Sequence, residues 1–118
     1  MLRDYKVFLQ DVMDAIANVA EFVGPMTRHD FKTDKKTLHA VVRNLEVIGE
    51  AIKSVPSEVR IRHPQVPWQR IAGLRDILIH HYFEIDIDIV WDIVQNKLPE
   101  LKQHVQGILS EPGEVPSP

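Results

Sequence analysis

A chain of 118 residues, 44% apolar and 26% charged, is the size of one domain around one core and too small for two. Its formal net charge of −3 does not draw nucleic acid to the surface as a whole, so any such site needs a local basic patch. Without cysteine there are no disulfides and no thiolate metal cages, which fits a reducing compartment. The start, "MLRDYKVFLQ", carries charges where a signal peptide needs an apolar run, and no stretch reaches membrane-spanning length. The expectation is a soluble cytoplasmic protein.

From Leu2 to Val23, the positions Leu2, Tyr5, Leu9, Val12, Ile16, Val19 and Val23 recur three and four apart. That spacing predicts a first helix with one core-facing stripe, ended by Gly24-Pro25. The polar connection "MTRHDFKTDKK" has room for a short helical turn. A second long helix is expected over Thr33 to Ser54, with Leu38, Val41, Val42, Leu45, Ile48 and Ile52 inward and Pro56 as its stop. Its opposite face carries His39, Arg43, Glu46, Glu50 and Lys53. Gly49 costs this helix about 1 kcal/mol relative to alanine and usually marks close approach of another backbone.

"SEVRIRHPQVPW" reads as a proline-punctuated link, with Ser57 a candidate N-cap for one short turn. Pro67 suits the start of a third helix, Trp68 to about Ile79. A fourth helical region begins near Asp86 or Asp88 and runs through "IVWDIVQNKLPELKQHVQGIL", kinked or restarted at Pro99. The expected fold is all-α: an antiparallel bundle of about four long helices with short helical turns, filling residues 1–110. The acidic, proline-rich residues 111–118 are expected to be a disordered tail.

One segment breaks the pattern. In "GLRDILIHHYFEID", Gly73 to Asp86, Arg75 falls in the middle of the apolar stripe formed by Trp68, Ile71, Ala72, Leu78, Ile79 and Tyr82. A buried guanidinium is costly without a partner. One account is structural: an arginine stem among apolar groups, its head at the surface or paired with Glu46 or Glu50. On a straight helix His80 points about 140° away from Arg75. The two can serve one reaction centre if the helix unwinds near Ile79 or if the site is shared between subunits. Asp76, four residues before His80, is placed to orient its imidazole.

Other chemistries fit less well. There is no His-Glu-x-x-His sequence and no histidine pair at i, i+4, so no metal site is expected. No glycine-rich loop precedes a helix, and no serine has a nucleophile-elbow context. The clearest basic cluster is "RIRH", Arg60 to His63, with Arg70 nearby. Such a cluster is more often a solvated face, but it is the first candidate for a phosphate track.

Arg75, His80 and Tyr82 fit the pattern arginine, four residues, histidine, any residue, tyrosine. Around them stand "RNLEVIGEA" (Arg43 to Ala51), "VPW" and "VWDIVQNKLPEL". With these four segments in order, the chain from about Leu2 to Leu109 resembles the HepT-like branch of the HEPN superfamily. The resemblance implies a helical-bundle endoribonuclease toxin that works as a homodimer without metal or other cofactor. It also implies a small nucleotidyltransferase antitoxin of the MNT type as partner. On that pattern Arg75 and His80 are the catalytic pair, and Tyr82 is the hydroxyl the antitoxin modifies with AMP. Asp76 stands where the family often has asparagine; an anion there weakens RNA binding or holds His80 protonated. Arg43, Glu46, Glu50, Asp76 and His81 are the expected supporting or RNA-contacting residues.

Two rival readings accompany this one. The first is a non-catalytic module that binds the nucleotidyltransferase or a nucleotide, using Arg75 and His80 as a phosphate clamp. The second is a structural bundle in which Arg75 and Glu50 form an internal pair.

Overall fold

The computed structural model describes residues 4–74, 76 and 86–111. Helix α1, Tyr5–Val23, starts where the Asp4 carboxylate accepts the Lys6 backbone N–H at 2.9 Å. The predicted stripe is its buried face: Leu9, Val12, Ile16, Val19 and Val23, with Tyr5 half-buried. Gly24 ends the helix with φ +50° and returns its N–H to the Ala20 carbonyl at 2.9 Å. A side chain disfavours that backbone conformation, which glycine adopts freely.

The polar connection does hold a helix, α2, Arg28–Thr33. Thr27 and Asp30 cap it reciprocally: the Thr27 hydroxyl accepts the Asp30 N–H at 3.1 Å, and the Asp30 carboxylate accepts the Thr27 N–H at 3.0 Å. Phe31, the buried residue of α2, tilts against Trp91 with ring centroids 5.3 Å apart.

Helix α3 runs Lys35–Lys53, slightly shorter than the expected Thr33 to Ser54, because Asp34 takes the N-cap and accepts the Thr37 N–H at 3.0 Å. Leu38, Val41, Leu45, Ile48 and Ile52 are buried, Val42 is half-buried, and Gly49 lies on the buried side. The helices α1 and α3 form the principal antiparallel pair of the bundle, tied at their edge by Asn18 donating to Asn44 at 3.2 Å.

Helix α4 covers Ser57–Arg62, and here the sequence reading is corrected: Pro56, not Ser57, is the N-cap, and no side chain caps this end. Pro56 sits at φ −61° and ψ 149°, so the extended bend that starts the turn is already built into its ring. Helix α5, Trp68–Ala72, follows Pro67 and buries Trp68 and Ile71 against α3. The part of the expected third helix at residues 75 and 77–79 lies outside the described residues.

Asp86 caps the last helical run, accepting the N–H groups of Asp88 and Ile89 at 3.0 and 3.2 Å. The run comprises α6, Ile87–Asp92, a π-helical turn, Ile93–Lys97, and α7, Leu98–Leu109. The expected disturbance at Pro99 takes the form of that π turn. Proline lacks an N–H, and the Leu98 N–H reaches five residues back to the Ile93 carbonyl. Pro99 itself sits in the first turn of α7, where its missing donor costs nothing.

The result is an all-α bundle, with no strand among the described residues. Its single core joins α1, α3 and α7 through residues such as Leu9, Leu45, Ile48, Leu101, Val105 and Ile108. Residues 112–118, assigned from sequence to a disordered tail, lie outside the described residues. Glu111 is tied down: its carboxylate is 3.2 Å from His63 Nε2, and its carbonyl accepts Lys6 Nζ at 3.3 Å.

Candidate active site

Arg75, His80, His81 and Tyr82 lie outside the described residues, and their frame is known from both sides. Leu74 and Asp76, the neighbours of Arg75, are both helical, and Asp76 is exposed. Leu74 belongs to the wall of a cavity of about 550 Å³ between α5 and the last helical run. Ile71, Ile93, Leu98 and Leu101 make it apolar, while Arg70, Lys97, Glu100 and His104 supply charge.

What aims this corner is the "VPW" segment. The Trp68 indole N–H donates to the His63 carbonyl at 2.9 Å in the interior, and Trp68 N donates to the Val66 carbonyl at 2.8 Å. These two bonds fix how the chain leaves α4 and enters α5.

A second concavity, about 440 Å³, opens between α1 and α3. Arg43, Glu46 and Glu50 all line it, together with Phe8, Asp11, Val47, Ala51 and Ser54. Three members of the predicted polar stripe of α3, Arg43, Glu46 and Glu50, therefore share one cleft, and His39 and Lys53 are not among its lining residues. Arg43 Nη1 stands 4.0 Å from Glu46 Oε2, a loose pair at the rim. The expectation that one of these glutamates holds the Arg75 guanidinium involves a residue outside those described. No group of three or more His, Asp or Glu among the described residues is placed to hold a metal ion.

Two members of the basic cluster picked from sequence, Arg60 and His63, have structural partners, while Arg62 and Arg70 are exposed. The Arg60 guanidinium donates to the carbonyls of Ile52, Val55 and Lys53 at 2.8, 3.1 and 3.1 Å. It thus satisfies the open acceptors at the end of α3. His63 is 8% exposed and faces Glu111. Neither is available to phosphate. The available signal was position: an arginine a few residues past a helix end is within reach of its last carbonyls.

An all-helical bundle among the described residues, and a sequence that carries arginine, histidine and tyrosine in the order of the motif, fit the HEPN class. The sequence matches the model of the family described as "Ribonuclease HepT-like" over residues 12–108, and the chain belongs to that family. Named relatives agree. A Methanocaldococcus jannaschii protein named "Putative RNase" is 45% identical over 92% of this chain and 90% of its own. "Probable ribonuclease HepT" of Thermococcus cleftensis is 43% identical over 86% of this chain and 93% of its own. A "Putative RNase" of Caldanaerobacter subterraneus is 39% identical over 93% of this chain and 98% of its own. No solved structure matches the chain significantly.

Proposed function

We propose that the protein is a metal-independent endoribonuclease, the toxin of a pair whose antitoxin is an MNT-type nucleotidyltransferase. The observation that carries this is family membership together with the intact order Arg75, His80, Tyr82 in a family described as ribonucleases.

The chemistry asks little of the protein. RNA brings its own nucleophile, the 2′-hydroxyl beside the scissile phosphate. His80, with an unperturbed value near 6.5 for its residue type, moves the protons. One leaves the 2′-oxygen as it bonds phosphorus, and one reaches the 5′-oxygen as its bond to phosphorus breaks. Arg75 stays charged at any relevant pH and donates two hydrogen bonds to the phosphorane oxygens. The products are a 2′,3′-cyclic phosphate and a 5′-hydroxyl.

The 140° divergence of Arg75 and His80 on a straight helix favours a homodimer whose two motifs share one cleft. Regulation acts at Tyr82. Its hydroxyl oxygen attacks the α-phosphorus of ATP, pyrophosphate leaves, and the phenolic proton goes to solvent. The new phosphodiester is an anion next to the catalytic pair: it occupies the donors of Arg75 and repels RNA without a conformational change.

RNA incubated in chelator with wild type and with His80→Ala tests the activity. Cleavage by the first and not the second is expected; abolition by chelator, or equal cleavage by both, refutes the mechanism. Incubation with the partner nucleotidyltransferase and ATP, followed by tandem mass spectrometry, tests the regulation. An adenylyl increment on Tyr82 with lost cleavage is expected, and full activity of the modified protein refutes it.

A further inference from the structure

The chain is acidic overall, yet its charge is unevenly spread. Residues 27–43 hold five of the fourteen Lys and Arg, two of the six histidines, and only two of the seventeen Asp and Glu. Both of those aspartates are committed to the backbone. Asp30 caps α2 and Asp34 caps α3, and the bonds from Thr27 and Thr37 hold their carboxyls below the ordinary value. Asp88, the acidic neighbour from α6, is taken up by Arg28 and Lys32.

That leaves Lys35, Lys36 and His39 exposed, with no ion pair to any described residue. Lys36, His39 and Arg43 follow one another at three- and four-residue steps on α3. They therefore form a row with about 5–6 Å between neighbours, and Arg43 is 75% exposed at its end. The row leads from the α2–α3 corner to the rim of the cleft that Glu46 and Glu50 line.

Two features separate this row from an ordinary solvated face. Its lysines stand in the first turn of α3, where no acidic residue is present and a cation opposes the helix dipole. The arrangement thus weakens the local helix. And few carboxylates answer the row: Asp34, the α3 cap, lies near Lys36, Glu46 meets Arg43 only loosely at 4.0 Å, and Asp88 is taken up by Arg28 and Lys32. A departure from a local rule without structural return is what a binding surface produces.

We infer that Lys35, Lys36, His39 and Arg43 form a track for the phosphate backbone of single-stranded RNA along α3. This rests on the ribonuclease reading above and goes beyond it in assigning the path of the substrate. The contacts are to phosphate only, so the track holds RNA without choosing its sequence.

The probe is a 2′-O-methyl oligonucleotide, which lacks the attacking hydroxyl and binds without being cut. Its affinity for the full chain is measured against salt concentration for wild type and for Lys35→Ala/Lys36→Ala. Each lost phosphate contact removes about 0.7 from the slope of log affinity against log salt, so a fall of about 1.4 is expected. Helical content is unchanged, since the substitutions remove cations that oppose the dipole. Cleavage of a dinucleotide, too short to reach the track, keeps its wild-type rate. An unchanged slope and affinity overturn the track while dinucleotide cleavage leaves the ribonuclease reading intact. Preference of the row for poly-glutamate over the oligonucleotide also overturns it, marking an acidic protein partner instead. Failure of wild type to cut any RNA is a different result and defeats the proposed function itself.

Discussion

At the scale of single residues, charge alone is a poor guide to role. Arg60 looked like the head of a phosphate track and is a brace for the end of α3. Removing a charged donor from carbonyls typically costs about 1.5–3 kcal/mol per bond at most, and these three share one solvated group. Arg60→Ala is therefore expected to destabilise by about 2–3 kcal/mol in denaturant melts, with RNA cleavage retained below the transition. Arg60→Lys recovers little, because an ammonium cannot span three carbonyls as a planar fork does. The proposed catalytic pair behaves oppositely. His80→Ala is expected to lose about 10²–10⁴-fold in cleavage, with a melting curve like that of wild type. Stability and activity, measured on the same three variants, separate the two kinds of cation.

At the scale of elements, the ends carry as much information as the stripes. Gly24 closes α1 at φ +50°, and Gly24→Ala is expected to cost about 1–3 kcal/mol for the strained conformation. A Cβ there meets only the Glu21 carbonyl at 3.7 Å, so strain rather than collision is the cause. The α2–α6 contact has a different dependence. Hydrogen bonds from Arg28 and Lys32 hold the Asp88 carboxyl below its ordinary value of 3.8. A group depressed in the folded state contributes stability that is present above its unfolded value and lost as pH falls through its folded value. Asp88→Asn should therefore melt below wild type at neutral pH. The difference should shrink as the pH drops through and below 3.8. A constant gap across that range would show that the carboxylate's charge is not what joins α2 to α6.

At the scale of the whole molecule, the bundle could be read from sequence because each long helix repeats its apolar positions over several turns. The α1 stripe and the α3 stripe are both found where spacing put them. Ser57 as a cap was misread, and the partners of Arg60 and His63 were not legible, because both depend on which groups meet in space; a local pattern holds no trace of Glu111 beside His63. The grouping of Arg43, Glu46 and Glu50 on one cleft was legible, since a helix face is a local property. How Arg75 and His80 meet was not, because helical geometry turns them apart. On the proposed reading that conflict is resolved by a dimer in which the arginine of one subunit serves the histidine of the other, and the proposal can be tested by complementation. On that reading, Arg75→Ala and His80→Ala homodimers are each expected to be inactive. When the two are mixed, unfolded and refolded together, half of the dimers are mixed, and one of the two arginine–histidine pairs in the shared cleft of each is complete. Cleavage should return to about a quarter of the wild-type rate for a two-fold dimer. If each subunit instead unwinds near Ile79 and completes its own centre, no mixture regains activity. Recovery must also vanish when the refolding step is omitted and subunits cannot exchange. Sedimentation of the wild type as a monomer at micromolar concentration would remove the shared cleft altogether.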